Sequence, residues 1–192
     1  MIYALLGMVG FAVLSLFDVA CAKGMRYLKS LSWLLGSSLV GYSLIMASIK
    51  TSRVDLPIYI RYLGWALSTV ALGLLIYSLF IEIPLKTAYI GNSPEPKLVT
   101  KGTYALVRHP WFLWFVFFVA TLFVATGSKI LLVSLPAWGA VNLLRIFVQD
   151  RYLYPRMFGQ AYREYKKKTP MLIPNRDSLR KFLTSLKDQS DL

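Results

Sequence analysis

Residues 111–148 read "WFLWFVFFVATLFVATGSKILLVSLPAWGAVNLLRIFV", and Lys129 and Arg145 are the only charged residues among them. Two apolar runs, 111–126 and 130–148, flank the link Gly127-Ser128-Lys129. A helix needs ~20 apolar residues to cross a bilayer. The first run is short for that and crosses only with tilt or local thinning of the membrane. So brief a link turns the chain straight back, which predicts a helical hairpin. Pro136, inside the second arm, predicts a kink there.

Three further apolar runs precede the hairpin, at 2–22, 31–49 and 59–81. The chain has 192 residues, of which 56% are hydrophobic and 16% charged. Its mean hydropathy is +0.53. This composition predicts an all-α integral membrane protein with about five transmembrane helices, because lipid leaves no water to satisfy exposed backbone. The short alternating segments of a barrel are missing. The opening "MIYALLGMVGFAVLSLF" has no basic start and no small-residue cleavage site, so it reads as a retained helix.

The formal charge is +13. Lys and Arg gather between and after the apolar runs, which points to membrane lipids as partners rather than nucleic acid. Lys23, Arg26 and Lys29 follow the first run, and Lys166, Lys167 and Lys168 follow the last. With five crossings these regions and the loop 82–110 share one side. The positive-inside rule makes that side cytoplasmic and puts the N-terminus outside, with Lys50 and Arg53 falling on the outer side. Three parts follow: N-terminal transmembrane helices over 1–81, a core over 82–174, and a basic tail over 175–192. In the tail, Leu179, Phe182, Leu183 and Leu186 fall on one helical face, an amphipathic surface pattern. The single cysteine, Cys21, forms no internal disulfide or thiolate cluster, and no metal site is expected.

The polar residues nearest the hairpin carry the chemistry. "LVTKGTYALVRHPWF", 98–112, holds the only histidine, His109, between Arg108 and Pro110. Proline suits the first turn of a helix, so Arg108 and His109 stand at the N-terminus of the first arm, where backbone N–H groups attract anions. Arg145 and Gln149, four apart, share a face at the end of the second arm. Asp150 follows, and a carboxylate at a helix C-terminus requires a cation: Arg145, Arg151, Arg108 or a ligand's ammonium.

Taken together, "LVTKGTYALVRHP" and, beyond the hairpin, "FGQAYREYKKKTPMLIP" resemble the isoprenylcysteine carboxyl methyltransferase family, one of a wider group of integral-membrane methyltransferases that includes phospholipid methyltransferases. The likeness covers roughly residues 85–174. It rests on Leu98-Val99-Thr100, Gly102, Tyr104, Arg108-His109-Pro110, Arg145, Phe158-Gly159, Tyr162, Tyr165, Pro170 and Pro174. The resemblance implies an S-adenosylmethionine pocket facing the cytoplasm, formed by the hairpin's end and the C-terminal segment, with a lipophilic acceptor arriving from the bilayer. It casts Tyr104, His109, Asp150, Tyr162 and Gly102 as cofactor-binding residues. It casts Arg145 as the group that orients the acceptor and Arg108 as an anion-binding partner in catalysis.

Displacement at a sulfonium methyl needs alignment more than acid or base. A carboxylate acceptor is already ionised near neutral pH, whereas an amine must first lose a proton, and no buried base is evident. This favours a carboxylate or thiol-type acceptor, and the resemblance implies a carboxylate of the prenylcysteine type. Two positions depart from the family pattern. Its paired acids become Gln149-Asp150 or, in a gapless alignment, Asp150-Arg151, and its usual glycine becomes Trp114. Two other readings compete: an NADPH-dependent membrane reductase of the sterol-reductase type, and a non-catalytic scaffold or lipid-binding protein.

Overall fold

The computed structural model describes residues 1–50, 52–83 and 98–190, with side chains as far as 184. The described residues form helices α1 (Ile2–Ala22), α2 (Arg26–Ile49), α3 (Ile58–Ile76), α4 (Thr103–Leu106), α5 (Pro110–Thr126), α6 (Lys129–Val148), α7 (Tyr154–Lys168) and α8 (Arg176–Ser190). A π-helical turn over Tyr77–Ile81 extends α3, and another over Gln149–Leu153 joins α6 to α7. Four helical runs, Ile2–Ala22, Arg26–Ile49, Ile58–Ile81 and Lys129–Lys168, contain segments long and apolar enough to cross a membrane, while Pro110–Thr126 is apolar but shorter. Their outer faces stay greasy: Leu5, Leu34, Ile45, Val70 and Leu144 are each more than half exposed. Water would not tolerate so continuous an apolar surface, and lipid does. The regular structure of the described residues is all-helical, and the protein is a multi-pass membrane protein.

Small residues set how closely the helices approach, as expected where burial from lipid supplies little driving force. In the α1–α2 pair, a Cβ at Gly10 would lie 3.1 Å from the Gly36 carbonyl oxygen. α3 runs antiparallel to α5. A Cβ on Gly64 would stand 2.5 Å from the Ala125 nitrogen, and Ser68 Oγ donates to Thr121 Oγ1 at 3.1 Å. α1 lies on α6, where Trp138 Nε1 donates to the Ala4 carbonyl at 2.8 Å and its ring packs over Gly7. Phe11, Phe115, Val119, Leu122, Leu131 and Trp138 fill the core between these helices.

The hairpin turn is built as its sequence predicts. Gly127 takes the left-handed conformation (φ +69°), and Ser128 caps α6 by accepting from the Leu131 N–H. Ser128 Oγ also donates to the Ala47 carbonyl at 2.5 Å, tying the turn to the end of α2. α6 continues through Pro136.

One boundary and one loop differ from the sequence expectation. α2 begins at Arg26 rather than 31, so Arg26 and Lys29 lie on the helix and the connection is only Lys23–Met25. Long cationic side chains extend a helix past its apolar run by reaching toward the headgroups. The 82–110 loop contains α4, while residues 84–97 lie outside the described residues. In the tail, α8 includes the expected Leu179, Phe182 and Leu183, of which Leu179 and Leu183 are exposed. The Leu186 side chain lies outside the described residues.

Candidate functional site

His109 is the N-cap residue of α5 and Pro110 its first residue. The segment ahead of them is held by the far end of the chain: the Arg108 N–H donates to the Pro170 carbonyl at 2.9 Å and the His109 N–H to the Met171 carbonyl at 3.3 Å. The two motif stretches therefore meet as one layer at the mouth of the hairpin. Proline supplies a carbonyl without an N–H of its own, which suits an edge that only accepts.

Asp150, in the π turn after α6, gathers this layer. Tyr162 Oη donates to its Oδ1 at 2.5 Å and Lys166 Nζ to its Oδ2 at 2.6 Å, and Arg108 Nη1 lies 2.5 Å from Oδ1. The Arg108 contact is ionic rather than a well-aimed hydrogen bond, because neither Nη1 nor Nε finds an acceptor in hydrogen-bonding geometry among the described residues. His109 Nε2 stands 3.9 Å from the same oxygen, too far to bond, and has no acceptor there either. Burial pushes the Asp150 carboxyl up, but the nearby His109 ring, the hydrogen bonds from Lys166 and Tyr162 and the charge of Arg108 outweigh that and hold it well below the usual carboxylate range. Burial lowers the His109 imidazole below its ordinary value, and nearby Asp150 offsets this only in part, so the ring is neutral near pH 7.

Arg108, His109 and Tyr162 border a cavity of about 790 Å³ that runs into the helical bundle. One end carries Tyr104, Arg108, His109, Gln149 and an aromatic wall from α7; the other carries Phe11, Leu14, Val40, Leu44, Leu75 and Phe115. His109 stacks on Tyr154 with ring centroids 5.8 Å apart and planes 15° apart, and Tyr154 packs in turn on Phe158 and Tyr162. The wall is possible because α7 breaks at Gly159, whose φ of +57° and ψ of −128° are open to glycine alone at low cost. The break lets Tyr154 and Phe158 on one side of it, and Tyr162 and Tyr165 on the other, reach the same cavity. Gln149 Oε1 is buried on this wall without a donor among the described residues. Buried polar atoms are normally paired, so Arg108, His109 and Gln149 together describe a space shaped for a polar ligand.

No family model and no solved structure matches the chain. It is similar to a curated protein, the Protein-S-isoprenylcysteine O-methyltransferase of Schizosaccharomyces pombe. The two are 38% identical over 79 residues, which is 40% of this chain and 33% of that protein. The match thus spans about a third of the length of that relative.

Of the site residues read from sequence, the structure brings Tyr104, Arg108, His109, Tyr162 and Arg145 to the cavity wall. Asp150 and Gly102 are not among its lining residues. Asp150 sits behind the wall, with both oxygens turned to protein donors. Gly102 (φ +59°) makes the turn into α4, and a Cβ there would collide with Glu82 Oε1. The Glu82 carboxylate accepts from the Thr103 backbone N–H and hydroxyl, and burial raises its carboxyl above the ordinary value. Gly102 and Glu82 thereby seat Tyr104, whose hydroxyl donates to the Ser78 carbonyl at 3.2 Å. Tyr165 Oη fixes the same residue by donating to the Tyr104 carbonyl at 2.5 Å. Trp114 does not line the cavity and takes none of its space. Gln149 and Asp150 are buried whereas Arg151 is exposed, so the Gln149-Asp150 pair occupies the inward position.

Sequence reasoning passed over Asp18. It lies near the end of α1 and binds Arg145 through both oxygens, Nε to Oδ2 at 2.5 Å and Nη2 to Oδ1 at 2.9 Å. Its signal was plain: it is the only acid in the first apolar run, and an acid at membrane depth is a functional candidate by default. Tyr154 and Trp111 gave no comparable signal, since aromatic residues are ordinary at a membrane rim.

Proposed function

We propose that the protein is an S-adenosylmethionine-dependent membrane methyltransferase whose acceptor is a lipophilic carboxylate of the prenylcysteine type. The observation that carries this reading is the mixed lining of one cavity: Arg108 Nε, His109 Nε2 and Gln149 Oε1, without hydrogen-bond partners among the described residues, share it with a largely apolar wall into which Asp18 and Arg145 are set. A cofactor with a carboxylate, an ammonium and an aromatic base fits the polar end. Arg108 would take the carboxylate, Gln149 Oε1 the ammonium, and the His109–Tyr154–Phe158 wall the base. S-adenosylmethionine supplies an electrophilic methyl on a sulfonium sulfur.

The chain's own residues bind, aim and exclude water. Asp150 acts from behind, holding Arg108 and Tyr162 at their stations. His109, neutral and buried, offers one nitrogen to accept or donate without adding charge. Arg145 faces the acceptor's carboxylate, which is already ionised and needs no base. The apolar lining receives the lipid chain, and so the reacting groups meet in a space shielded from water. In membrane terms the polar end faces the cytoplasm and the N-terminus lies outside. The partial similarity to a protein named for this chemistry supports the reading.

Calorimetry of S-adenosylhomocysteine with the detergent-purified protein tests it. Saturable binding is expected, weakened at least tenfold in His109→Ala, roughly the effect of losing one hydrogen bond and one stacked ring. No binding by folded protein at millimolar ligand overturns it. The same titration with NADPH then tests the reductase alternative.

A further inference from the structure

We infer that Asp18, on α1, is a positioning residue for methyl transfer: it holds the Arg145 guanidinium where the polar and apolar ends of the cavity join. The inference rests on the methyltransferase reading and extends the site into a helix that carries no motif. Asp18, Arg145 and Trp111 all line the cavity. Arg145 stands one helical turn before Gln149, on the side toward the apolar lining. Its guanidinium is fixed twice over. Asp18 takes one edge through Nε and Nη2, and the Trp111 ring lies 5.6 Å from Cζ.

A bidentate carboxylate sets the plane and rotation of a guanidinium, which a lysine in its place would not permit. The side chains are 9–11% exposed. Such a buried ion pair contributes little net stability compared with apolar residues of the same size. Stability between α1 and α6 has other sources, since Trp138 bonds Ala4 and packs on Gly7 toward the opposite end of α1. A charged pair held in a cavity wall, where an apolar pair would pack as well, points to use in the cavity. An acceptor carboxylate arriving along the apolar lining meets Arg145 before it reaches the orphaned atoms of Gln149 and Arg108. Asp18 prevents the guanidinium from swinging toward those atoms and keeps it aimed at the acceptor.

The experiment compares wild type, Asp18→Asn, Asp18→Glu and the double variant Asp18→Leu/Arg145→Leu in the full chain. N-acetyl-S-farnesylcysteine serves as the acceptor probe, and S-adenosylhomocysteine binding is measured beside it. For Asp18→Asn the acceptor KM should rise about tenfold or more, the loss expected for a charge-assisted bond that no longer aims its partner. kcat should change far less and S-adenosylhomocysteine affinity should stay unchanged. Asp18→Glu should recover much of the KM. The double leucine variant should keep its thermal stability and its cofactor affinity, yet show the raised KM. If Asp18→Asn leaves KM unaltered, or if KM and S-adenosylhomocysteine affinity weaken together with thermal stability, Asp18 is a structural clamp and the inference is overturned. Failure of folded wild type to bind S-adenosylhomocysteine overturns the methyltransferase reading itself, and this inference with it.

Discussion

The Arg108 backbone N–H donates to the Pro170 carbonyl at 2.9 Å, joining the mouth of the hairpin to a segment beyond α7. The His109 N–H makes the next bond, to Met171. A chain ending at Lys168 loses both acceptors and leaves two buried N–H groups unpaired, whereas a chain ending at Asn175 keeps them. S-adenosylhomocysteine binding should disappear in the shorter chain and persist in the longer one. Equal binding by both would mean that the C-terminal segment does not build the site.

Asp150 balances Arg108 inside the protein, where both side chains are almost fully buried. Asp150→Asn removes that balance and leaves the guanidinium charged. Breaking one partner from a buried pair costs about 3 kcal/mol, which for a chain of this size is roughly 6–12 °C in Tm. Thermal unfolding in detergent measures it. A shift within error would show that Lys166, Tyr162 and solvent reorganise to replace the carboxylate.

Two glycines on α3 separate packing from helix propensity. A Cβ at Gly64 would press on the Ala125 backbone at 2.5 Å, while one at Gly73 would meet nothing within 4 Å. Gly64→Ala forces α3 and α5 apart, at a cost of about 1–3 kcal/mol. Gly73→Ala should be neutral or slightly stabilising. The same unfolding assay applied to both variants checks the antiparallel seam, which would be wrongly placed if Gly73→Ala proved the more damaging.

His109 gives a pH dependence with a definite sign. Burial lowers its folded pKa below the ordinary 6.5, so the unfolded chain binds the extra proton first. Stability is therefore fully present above pH 6.5 and declines as pH falls below it, toward the lower folded value. His109→Gln removes the titrating group and should flatten that part of the curve, leaving only the carboxylate losses at more acidic pH. A wild-type Tm that rises between pH 7 and pH 6 would contradict the burial of a neutral ring.

The hairpin was legible because its signals are local: two apolar runs, a three-residue link between them and a proline at the first turn. The meeting of Arg108 with the C-terminal segment was legible only as a consequence of crossing number. The site's finer geometry was not. A π turn at Gln149–Leu153 follows no apolar period, and it rotates Gln149 and Asp150 to directions an ideal helix would not give them. The break at Gly159 likewise sits inside a segment whose polar pattern reads as one helix. Asp18 was visible as an acid in an apolar run, but its partner lies 127 residues away, and nothing in the sequence pairs them.

Gln149 tests the cofactor pose most directly. Its Oε1 is buried on the cavity wall with no donor among the described residues, at the position where one of the two alignments with the resembling family places a second acid. If that oxygen receives an ammonium, a carboxylate there makes the stronger, charge-assisted bond. Gln149→Glu should then tighten S-adenosylhomocysteine binding about tenfold, and Gln149→Leu should weaken it by a similar factor. The added charge has cations to balance it, because Arg108 and Lys166 both contact neighbouring Asp150. Decarboxylated and deaminated analogues of the ligand separate the two ends of the pose. Gln149→Glu should gain nothing toward the deaminated analogue while keeping its advantage toward the decarboxylated one. If Gln149→Glu instead weakens binding of S-adenosylhomocysteine and of the deaminated analogue but not of the decarboxylated one, the ligand's carboxylate, not its ammonium, lies against the π turn, and the roles given to Gln149 and Arg108 are exchanged.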